Sequence, residues 1–273
     1  MKEPFSISQD EQSLSQMSNS QFENYPFFSI LTACLNSVAT LRKTVESIRD
    51  QTFKNFEHIV VDGGSKDGTV DILGNAENTY PLTWISEADS GIADALNKGL
   101  RIAQGQYIIV IQADDRFLNP NILEHVFKLL RGEKIDLLSF PVILDHPVRG
   151  KVLRKPIRNL WWNHFKFIFP HQGCFVSRSV FEKIGGFREE FKIAFDYDFL
   201  YRALKNKCSV RFEKLPVALM GGKGIGSNPD YVSIRLKEEI LVHRLNERNI
   251  FWRLVQYSFF LFYLPVKTKL LPP

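Results

Sequence analysis

Residues 58–69 read HIVVDGGSKDGT, and this stretch is the most informative one in the chain. An apolar run stops abruptly at Asp62, and glycines with small polar residues follow it. A short apolar run bounded in this way is typical of a buried strand, most often a parallel one. An acid at the carboxyl end of such a strand lies where open α/β sheets bind their ligands. The stretch therefore predicts a strand, a polar turn and a ligand site at one edge of a parallel sheet.

A second strand-like run ends in the same way. Residues 107–111 are apolar or aromatic, and Gln112, Ala113, Asp114 and Asp115 follow them. Because the carboxyl ends of parallel strands meet at one edge, the two acidic ends are expected to lie close together. Such a site suits a nucleotide and a divalent metal, since Mg²⁺ and Mn²⁺ prefer carboxylate oxygens. The alternative is that both acids mark ordinary solvated strand ends.

Strand and helix patterns alternate along the first half of the chain. We expect strands at residues 27–33, 57–61, 82–85 and 107–111, and helices at residues 38–51, 69–73, 91–103 and 120–131. This alternation predicts a mainly parallel sheet with helices on both faces, because crossovers between parallel strands are right-handed. Later segments predict shorter strands and further helices, at residues 136–140, 141–144, 151–153, 179–184, 197–206 and 231–248.

Composition defines three regions. Residues 1–25 are rich in Ser, Gln, Asn and Glu and are expected to form a disordered lead-in. Residues 26–248 carry the alternating pattern and are expected to form a single α/β domain. Residues 249–273 form an aromatic and basic tail, whose uncharged run at 254–266 is shorter than the about 20 residues of a transmembrane helix. We expect the tail to be an interfacial helix at a membrane, with packing on the core or in a homodimer as the alternative.

The net charge and the cysteine spacing indicate which classes of partner the chain binds and in which cellular compartment it lies. A net charge of +5 favours an anionic partner such as a sugar nucleotide or an acidic lipid surface, and no dense run of Lys and Arg indicates nucleic acid. Cys34, Cys174 and Cys208 lie far apart without CxxC spacing, which argues against a thiolate zinc site and favours a reducing cytoplasm. The N-terminus lacks the basic and apolar regions of a signal peptide. We therefore expect a cytoplasmic protein, peripheral at the inner face of the plasma membrane if the tail binds lipid.

These motifs together resemble the family 2 glycosyltransferases, inverting enzymes with the GT-A fold. The matching pieces run in the expected order and are SILT (29–32), VDGGSKDGT (61–69), SEADSGIADALNKG (86–99), ADD (113–115), HQ (171–172) and FDYDFL (195–200). The resemblance implies a GT-A-type, Rossmann-like domain with a UDP-sugar donor, or a dTDP-sugar as the alternative. It also implies Mn²⁺ or Mg²⁺ and a saccharide or lipid-linked acceptor in polysaccharide or cell-envelope glycan synthesis. Leu35 and Phe195 depart from the family, which often has an aromatic residue at the first position and Glu or Ala at the second.

The resemblance places the donor nucleotide at the first three strand ends. Asp62 would accept a hydrogen bond from the imide N–H of uracil or thymine; the alternative is that it caps its own turn. Thr32 would add a hydroxyl contact, unless it simply fills its strand. Asp89 is a further donor-binding candidate. Asp94 either joins the donor site or stabilises the dipole of the helix that follows.

Asp114 and Asp115 carry the metal hypothesis. The resemblance makes Asp115 the direct ligand of Mn²⁺ or Mg²⁺ and places Asp114 either nearer the ribose of the donor nucleotide or behind the direct ligands of the ion. The ion would bridge the diphosphate and stabilise the charge of the departing nucleotide. We expect Asp115 to be an exposed acid at a strand end, so that its replacement leaves the fold intact.

Asp196 is the expected general base. Inverting transfer requires a carboxylate that removes the proton of the acceptor hydroxyl as its oxygen attacks the anomeric carbon. Asp196 and Asp198 would point about 200° apart on a helix, so only one of them can face the site. The resemblance assigns the base to Asp196 and leaves Asp198 as a cap or a salt-bridge partner.

His171 and Gln172 are expected on the acceptor side, with a structural histidine as the alternative. Lys223, in a glycine-rich loop, is expected to close over the diphosphate.

Two competing functions stay open beside a metal-dependent glycosyltransferase. A nucleotidyltransferase also binds a nucleotide and a metal on an α/β sheet, but residues 32–36 lack the glycine-rich, basic loop that such an enzyme has after its first strand. A catalytically silent sugar-nucleotide-binding protein is the other alternative, because Phe195 stands beside the expected base.

Overall fold

Strands and helices alternate through the part of the chain that the computed structural model describes, namely residues 25–166, 169–222 and 231–270, with side chains to Tyr263. The strands are β1 (Phe28–Cys34), β2 (Phe56–Asp62), β3 (Leu82–Ser86), β4 (Tyr107–Val110), β5 (Arg116–Phe117), β6 (Leu137–Ser139), β7 (Val142–His146), β8 (Gly150–Arg154), β9 (Cys174–Ser177), β10 (Val210–Phe212) and β11 (Ala218–Met220). The helices are α1 (Leu41–Arg49), α2 (Thr69–Ala76), α3 (Ile92–Ile102), α4 (Ile122–Leu130), α5 (Arg178–Ile184), α6 (Phe195–Lys205), α7 (Val232–Asn246) and α8 (Ile250–Leu270). The expected lead-in, up to residue 24, and Lys223 lie outside the described residues.

Seven strands form one sheet, in the order β10-β6-β9-β4-β1-β2-β3. Its neighbouring strands are parallel except where β9 pairs with β4 and with β6. The predicted mainly parallel α/β sheet is therefore confirmed. Four further strands form a second sheet, β5-β11-β7-β8, which the sequence pattern did not predict.

The first strand is buried on both faces of the large sheet. Alternate residues of β1 enter different apolar clusters, with Leu31 in one and Ile30 in the other. Leu31 shares its cluster with Leu96 and Leu100 of α3, whereas Ile30 shares its cluster with Val126 of α4. Because successive strand side chains point to opposite faces, a strand covered by helices on both sides is apolar throughout.

The register of the sheet brings the polar strand ends together. Cys34 at the end of β1 pairs with Asp62 at the end of β2, and Asp62 pairs with Ser86 at the end of β3. Strand β4 runs parallel to β1 on its other side, and Asp114 and Asp115 follow it closely in the chain. One edge of the sheet therefore carries the carboxyl ends of four strands, which is the expected place for a ligand site.

Helices from the second half of the chain complete the fold. α6 begins at Phe195, earlier than predicted, so that Asp196 lies in its first turn. Two short 3₁₀ turns, Leu160–His164 and His171–Gly173, precede β9. The uncharged run at residues 254–266 is part of α8. Within the described ranges, no helix combines the length and the apolar character that crossing a membrane requires.

Candidate active site

Asp62 is fully buried at the end of β2, and neighbouring groups of the protein donate hydrogen bonds to its carboxylate. The backbone N–H groups of Gly64 and Ser65 donate to Oδ2 over 3.1 and 2.9 Å, and the Ser86 hydroxyl donates to the same atom over 2.7 Å. The Ser65 hydroxyl donates to Oδ1. Although burial opposes ionisation, the hydrogen bonds from Ser65 and Ser86 hold the pKa of Asp62 below its usual value. The carboxylate thus caps its own turn, and this geometry does not support the expected contact with the base.

Thr32 also forms its hydrogen bonds within the protein. Its side chain is buried, and its hydroxyl donates to the carbonyl oxygen of Ile111 over 2.6 Å. The same oxygen lies 2.9 Å from Nε2 of His58, whose Nδ1 lies 2.7 Å from the Tyr80 hydroxyl. Because the Thr32 hydroxyl donates to Ile111, it accepts from His58. The expected nucleotide contact is therefore not supported, and Thr32 belongs to a buried network inside the sheet.

The open surface beside β2 is formed by three other residues. Leu35 is 56% exposed just beyond β1. A Cβ atom added to Gly63 would lie 2.6 Å from Oδ2 of Asp89 and 3.3 Å from Cδ1 of Leu35. Glycine at position 63 therefore allows the Asp89 carboxylate and the Leu35 side chain to approach the turn. The other Asp89 oxygen, Oδ1, accepts from the N–H of Gly91 over 2.9 Å.

Asp94 has a local role at the start of α3. Its Oδ2 accepts from the N–H of Ser90 over 2.9 Å and lies 3.6 Å from Nζ of Lys98. Lys98 in turn lies 2.8 Å from a carboxylate oxygen of Glu87 and donates to the carbonyl of Ala88. These contacts match the alternative in which Asp94 stabilises the start of the helix.

Asp115 is buried, contrary to the expectation of an exposed acid. It is 2% exposed, with Oδ1 accepting from the N–H of Gly221 over 2.9 Å and Oδ2 accepting from the N–H of Gln112 over 3.2 Å. Burial and the neighbouring charge of Asp114 raise the pKa of Asp115 to about 7. Burial also raises the pKa of Asp114. A Cβ atom at position 221 would overlap the Asp114 carboxylate, so glycine there lets the chain after β11 close over both acids.

These two acids fit a divalent cation. In the described part of the chain neither carboxylate is ion-paired with a lysine or arginine, and His171 is the positive group that acts on both. No group of three His, Cys, Asp or Glu side chains within the described ranges could hold a metal by itself. Mg²⁺ needs no such group, because it binds through one or two carboxylates together with substrate phosphates and water.

His171 and Asp196 form a close pair beside the acids. Nδ1 of His171 lies 2.7 Å from Oδ2 of Asp196, and the two side chains are 20% and 14% exposed. Although burial disfavours the imidazolium, the carboxylates of Asp196, Asp115 and Asp114 raise the pKa of His171 above its usual value. Nε2 of His171 is buried and has no hydrogen-bond partner among the described residues. Gln172 is buried and hydrogen-bonds to Asp115. The structure thus brings the expected base, acceptor-side and metal residues together.

Asp198 lies in the protein interior, away from this pair. It is fully buried, and its oxygens accept from Arg188 over 3.0 Å, from Arg202 over 2.7 Å and from Asn246 over 2.8 Å. This is the salt-bridge role that the sequence analysis left to Asp198. The linkage joins α6 to α7 and to the segment after α5.

Two glycines at the site were not identified from sequence as site residues. Gly63 stood in the Asp-Gly-Gly stretch that we interpreted as a turn, and Gly221 stood in a stretch that we interpreted as a loop. A glycine that directly follows a strand at the ligand edge is the signal that could have identified both, since such positions let the backbone approach another group closely.

Comparisons with known sequences agree on one family. The sequence profile of the family described as Glycosyl transferase family 2 matches residues 29–185. The chain is 36% identical over 188 residues to an uncharacterized glycosyltransferase of Mycobacterium tuberculosis (strain CDC 1551 / Oshkosh), covering 65% of this chain and 69% of that protein. It is 31% identical over 195 residues to a PGL/p-HBAD biosynthesis glycosyltransferase of Mycobacterium bovis (strain BCG / Pasteur 1173P2), covering 68% of this chain and 72% of that protein.

Solved structures share the fold. S. aureus TarS 1-349 in complex with UDP-GlcNAc superposes with a TM-score of 0.65 and 22% identity, covering 80% of this chain and 64% of that chain. The mannosyltransferase PcManGT from Pyrobaculum calidifontis, in complex with GDP-Man and Mn²⁺, gives a TM-score of 0.64 and 18% identity, covering 87% of this chain and 70% of that chain. The expected GT-A-type α/β fold is confirmed by these likenesses, which at such identities concern the fold alone.

Proposed function

The chain belongs to glycosyl transferase family 2, and we propose that it is an inverting, metal-dependent enzyme. It moves a sugar from a nucleotide-diphosphate donor to a hydroxyl group of a saccharide or lipid-linked acceptor in polysaccharide or cell-envelope glycan synthesis. The observation that carries the proposal is the His171–Asp196 pair, held next to the buried acids Asp114 and Asp115. The His171 imidazole is therefore close to two kinds of carboxylate. That of Asp196 can accept a proton, and those of Asp114 and Asp115 can bind a cation.

The donor is a UDP-sugar, with a dTDP-sugar as the alternative. TarS, solved with UDP-GlcNAc, supports the uridine nucleotide, although that support comes through the fold. In this chain the donor surface comprises Leu35, Gly63 and Asp89, because they line the open side of the turn after β2. Leu35 offers an apolar face to the base in place of an aromatic ring. The Asp89 carboxylate lies within reach of that surface and can accept a hydrogen bond from the base or the ribose.

Asp115 is the proposed ligand of Mn²⁺ or Mg²⁺, with Asp114 beside it toward the ribose. The bound ion would neutralise charge on the diphosphate as the nucleotide leaves. The N–H groups of Gly221 and Gln112 each hold one oxygen of Asp115, so that the carboxylate is oriented before any ligand arrives. The Mn²⁺ in the PcManGT complex is consistent with this use of the fold.

Asp196 is the proposed general base. Its carboxylate would accept the proton of the acceptor hydroxyl as that oxygen attacks the anomeric carbon from the side opposite the nucleotide. His171 donates from Nδ1 to Oδ2 of Asp196 and holds the carboxylate in one orientation. The complete burial of Asp198 and its two arginine partners support Asp196 over Asp198 for this role.

A relative and the tail support a biosynthetic role at a membrane surface. The relative from Mycobacterium bovis is named for PGL/p-HBAD biosynthesis, which supports a biosynthetic role for this chain as well. We place the reaction in the cytoplasm at the inner face of the plasma membrane, since α8 carries the aromatic and basic composition of an interfacial helix. No specific observation favours a nucleotidyltransferase or a catalytically silent binder over this function.

A panel of nucleotide sugars with Mn²⁺ tests the proposal. We expect one nucleotide sugar to stabilise the protein against heat and to be hydrolysed slowly without an acceptor, in a metal-dependent way. Asp196→Asn should keep the thermal stabilisation and lose the hydrolysis. Stabilisation without hydrolysis in the unsubstituted protein, under every acceptor tried, would favour the silent binder. Release of pyrophosphate from a nucleoside triphosphate would favour the nucleotidyltransferase.

A further inference from the structure

The outer face of α8 is apolar and exposed. Its large apolar residues are between 55% and 79% exposed and recur at spacings of three and four; they are Ile250, Phe251, Leu254, Tyr257, Leu261 and Phe262. On the opposite side of the helix, Gln256 and Phe260 are buried against the protein. A surface helix normally turns polar side chains outward, so an apolar face of this extent indicates a partner.

The 3₁₀ turn Leu160–His164 extends this face. Trp161 is 49% exposed and Trp162 is 38% exposed. The turn is fixed to the helix by ring contacts: His164 stacks on Trp252 with ring centroids 4.4 Å apart, and Phe165 lies 4.8 Å from Phe259. The exposed residues of α8 and of this turn therefore form one aromatic surface, which we call the docking face.

The segments that carry the docking face are basic and contain no acidic residue. The sequence has no Asp or Glu at residues 147–181 or at residues 248–273, the two segments that supply the face. The same segments contain exposed basic side chains, namely Arg154, Lys155, Arg158, Arg248 and Arg253. Nζ of Lys166 lies 4.9 Å from the ring centroid of Trp162, at the margin of the face. An aromatic surface carried by basic segments without acids, which we call its basic rim, is complementary to an anionic, partly apolar partner.

We propose that the docking face binds the surface of an anionic phospholipid membrane. Tryptophan and tyrosine side chains favour the headgroup level of a bilayer, and basic side chains around them attract anionic lipids. A second copy of the chain fits less well. In a two-fold symmetric dimer the same patch meets itself, so that the basic rims would face each other without acidic partners.

A hydrogen bond links the docking face to the helix that carries the proposed base. The Tyr197 hydroxyl donates to the carbonyl oxygen of Asn163, within the 3₁₀ turn, over 3.2 Å. It also lies 2.7 Å from Nε2 of His243 in α7. Tyr197 follows Asp196 directly, so the turn that carries the exposed tryptophans is anchored beside the proposed base. Presentation of a lipid-linked acceptor to Asp196 rests on the proposed function, whereas membrane binding itself does not.

Co-sedimentation of the full chain with vesicles tests the proposal. We expect binding to vesicles of phosphatidylcholine with roughly one third phosphatidylglycerol, little binding to phosphatidylcholine alone, and release by salt. The double substitution Phe251→Ser and Phe262→Ser should weaken the binding at least about tenfold, since both side chains are exposed and contribute to no core. The matched control, Ile102→Ser and Leu215→Ser, removes two exposed apolar residues elsewhere and should bind like the unsubstituted chain.

A charge variant and a mass measurement complete the test. Arg248→Glu and Arg253→Glu should abolish the preference for anionic vesicles, whereas Arg101→Glu on α3 should leave it unchanged. The proposal would be overturned if the Phe251→Ser, Phe262→Ser variant (the face variant) bound vesicles as well as its control. It would also be overturned if the unsubstituted chain bound both vesicle types equally. A dimer, detected by light scattering, that the face variant converts to a monomer would overturn it as well. No sugar donor is present in these measurements, so their failure leaves the transfer reaction untouched.

Discussion

His171 and Asp196 lie 2.7 Å apart, Nδ1 to Oδ2, although 25 positions separate them in the chain. The pair joins the 3₁₀ turn before β9 to the first turn of α6. The charges of Asp114 and Asp115 also act on His171 and help to raise its pKa. One imidazole therefore connects the proposed base with the proposed metal site, and each of these sites can be tested separately.

Replacing the proposed base should slow the reaction without weakening donor binding. Asp196→Asn keeps the size and polarity of the side chain but removes the proton acceptor, so the transfer rate should fall by roughly 10²–10⁴-fold. UDP affinity should stay within about twofold, because the residue is assigned to the acceptor side. Steady-state kinetics and calorimetry give the two quantities.

Asp198→Asn is the matched control for that substitution. It removes a buried charge that faces two arginines, so we expect the free energy of unfolding to fall by about 3 kcal/mol, measured in urea. Turnover per folded molecule should stay near that of the unsubstituted enzyme. If Asp198→Asn abolishes turnover in a folded protein while Asp196→Asn preserves it, the two roles are reversed.

Removing the proposed metal ligand should abolish metal-dependent nucleotide binding. Asp115→Ala and Asp115→Asn both lack the charge that would hold Mn²⁺, so the Mn²⁺-dependent part of the UDP affinity should disappear in calorimetry. The alanine variant leaves the N–H groups of Gly221 and Gln112 without their acceptor, which should lower its stability by about 1–3 kcal/mol. The asparagine variant keeps an acceptor and should fold more stably. Unchanged Mn²⁺-dependent UDP affinity in both variants would rule out Asp115 as the ligand.

The close approach of Gly63 to Asp89 gives a test of the donor surface. In Gly63→Ala the new Cβ would lie 2.6 Å from the Asp89 carboxylate and displace it, so UDP affinity should fall about tenfold. Gly74→Ala, in helix α2, adds a Cβ with no heavy atom within 4 Å and should instead stabilise the fold by about 0.5–1 kcal/mol. Equal UDP affinity in the two variants would remove Asp89 from the donor site.

The sequence predicts strand ends better than it predicts where their side chains point. The local sequence pattern alone predicts the apolar runs that form β1, β2 and β4. It also predicts the acids at the ends of β2 and β4. Whether Asp62 faces a ligand or its own turn depends on donors from Ser65 and from Ser86, and the second lies on another strand. A carboxylate at a strand end is compatible with both outcomes, so the pattern could not separate them.

Long-range contacts account for the larger differences between the structure expected from sequence and the structure observed. The burial of Asp115 depends on Gly221, which is 106 positions away in the chain and directly follows β11 of the second sheet. That sheet is assembled from short strands far apart in sequence, and its two-residue strand, Arg116–Phe117, carries no periodicity of its own. β9 is buried and enters the large sheet antiparallel, a direction that its four residues do not encode.

His58 should contribute to a loss of stability in acid. The side chain is fully buried between Thr32 and Tyr80, where Nε2 donates to one hydroxyl and Nδ1 accepts from the other, an arrangement that suits the neutral ring. Burial lowers the pKa of His58 to about 3. In the unfolded chain a histidine has a pKa of about 6.5. Between these two values the unfolded state binds a proton that the folded state does not bind.

The folded state should therefore lose stability as the pH falls through this window. For one such histidine the loss between pH 7 and pH 5 is about 2 kcal/mol. His58→Gln keeps a donor and an acceptor but cannot be protonated, so its free energy of unfolding should fall by about 2 kcal/mol less than that of the unsubstituted protein over the same interval. Urea unfolding of both proteins at the two pH values gives this difference directly. The variant is expected to be less stable at both values because its hydrogen bonds are less well placed, and comparing each protein with itself cancels that effect. If both proteins lose the same free energy between the two pH values, His58 does not contribute to the acid sensitivity of the fold, which would then rest on other groups such as the buried His243.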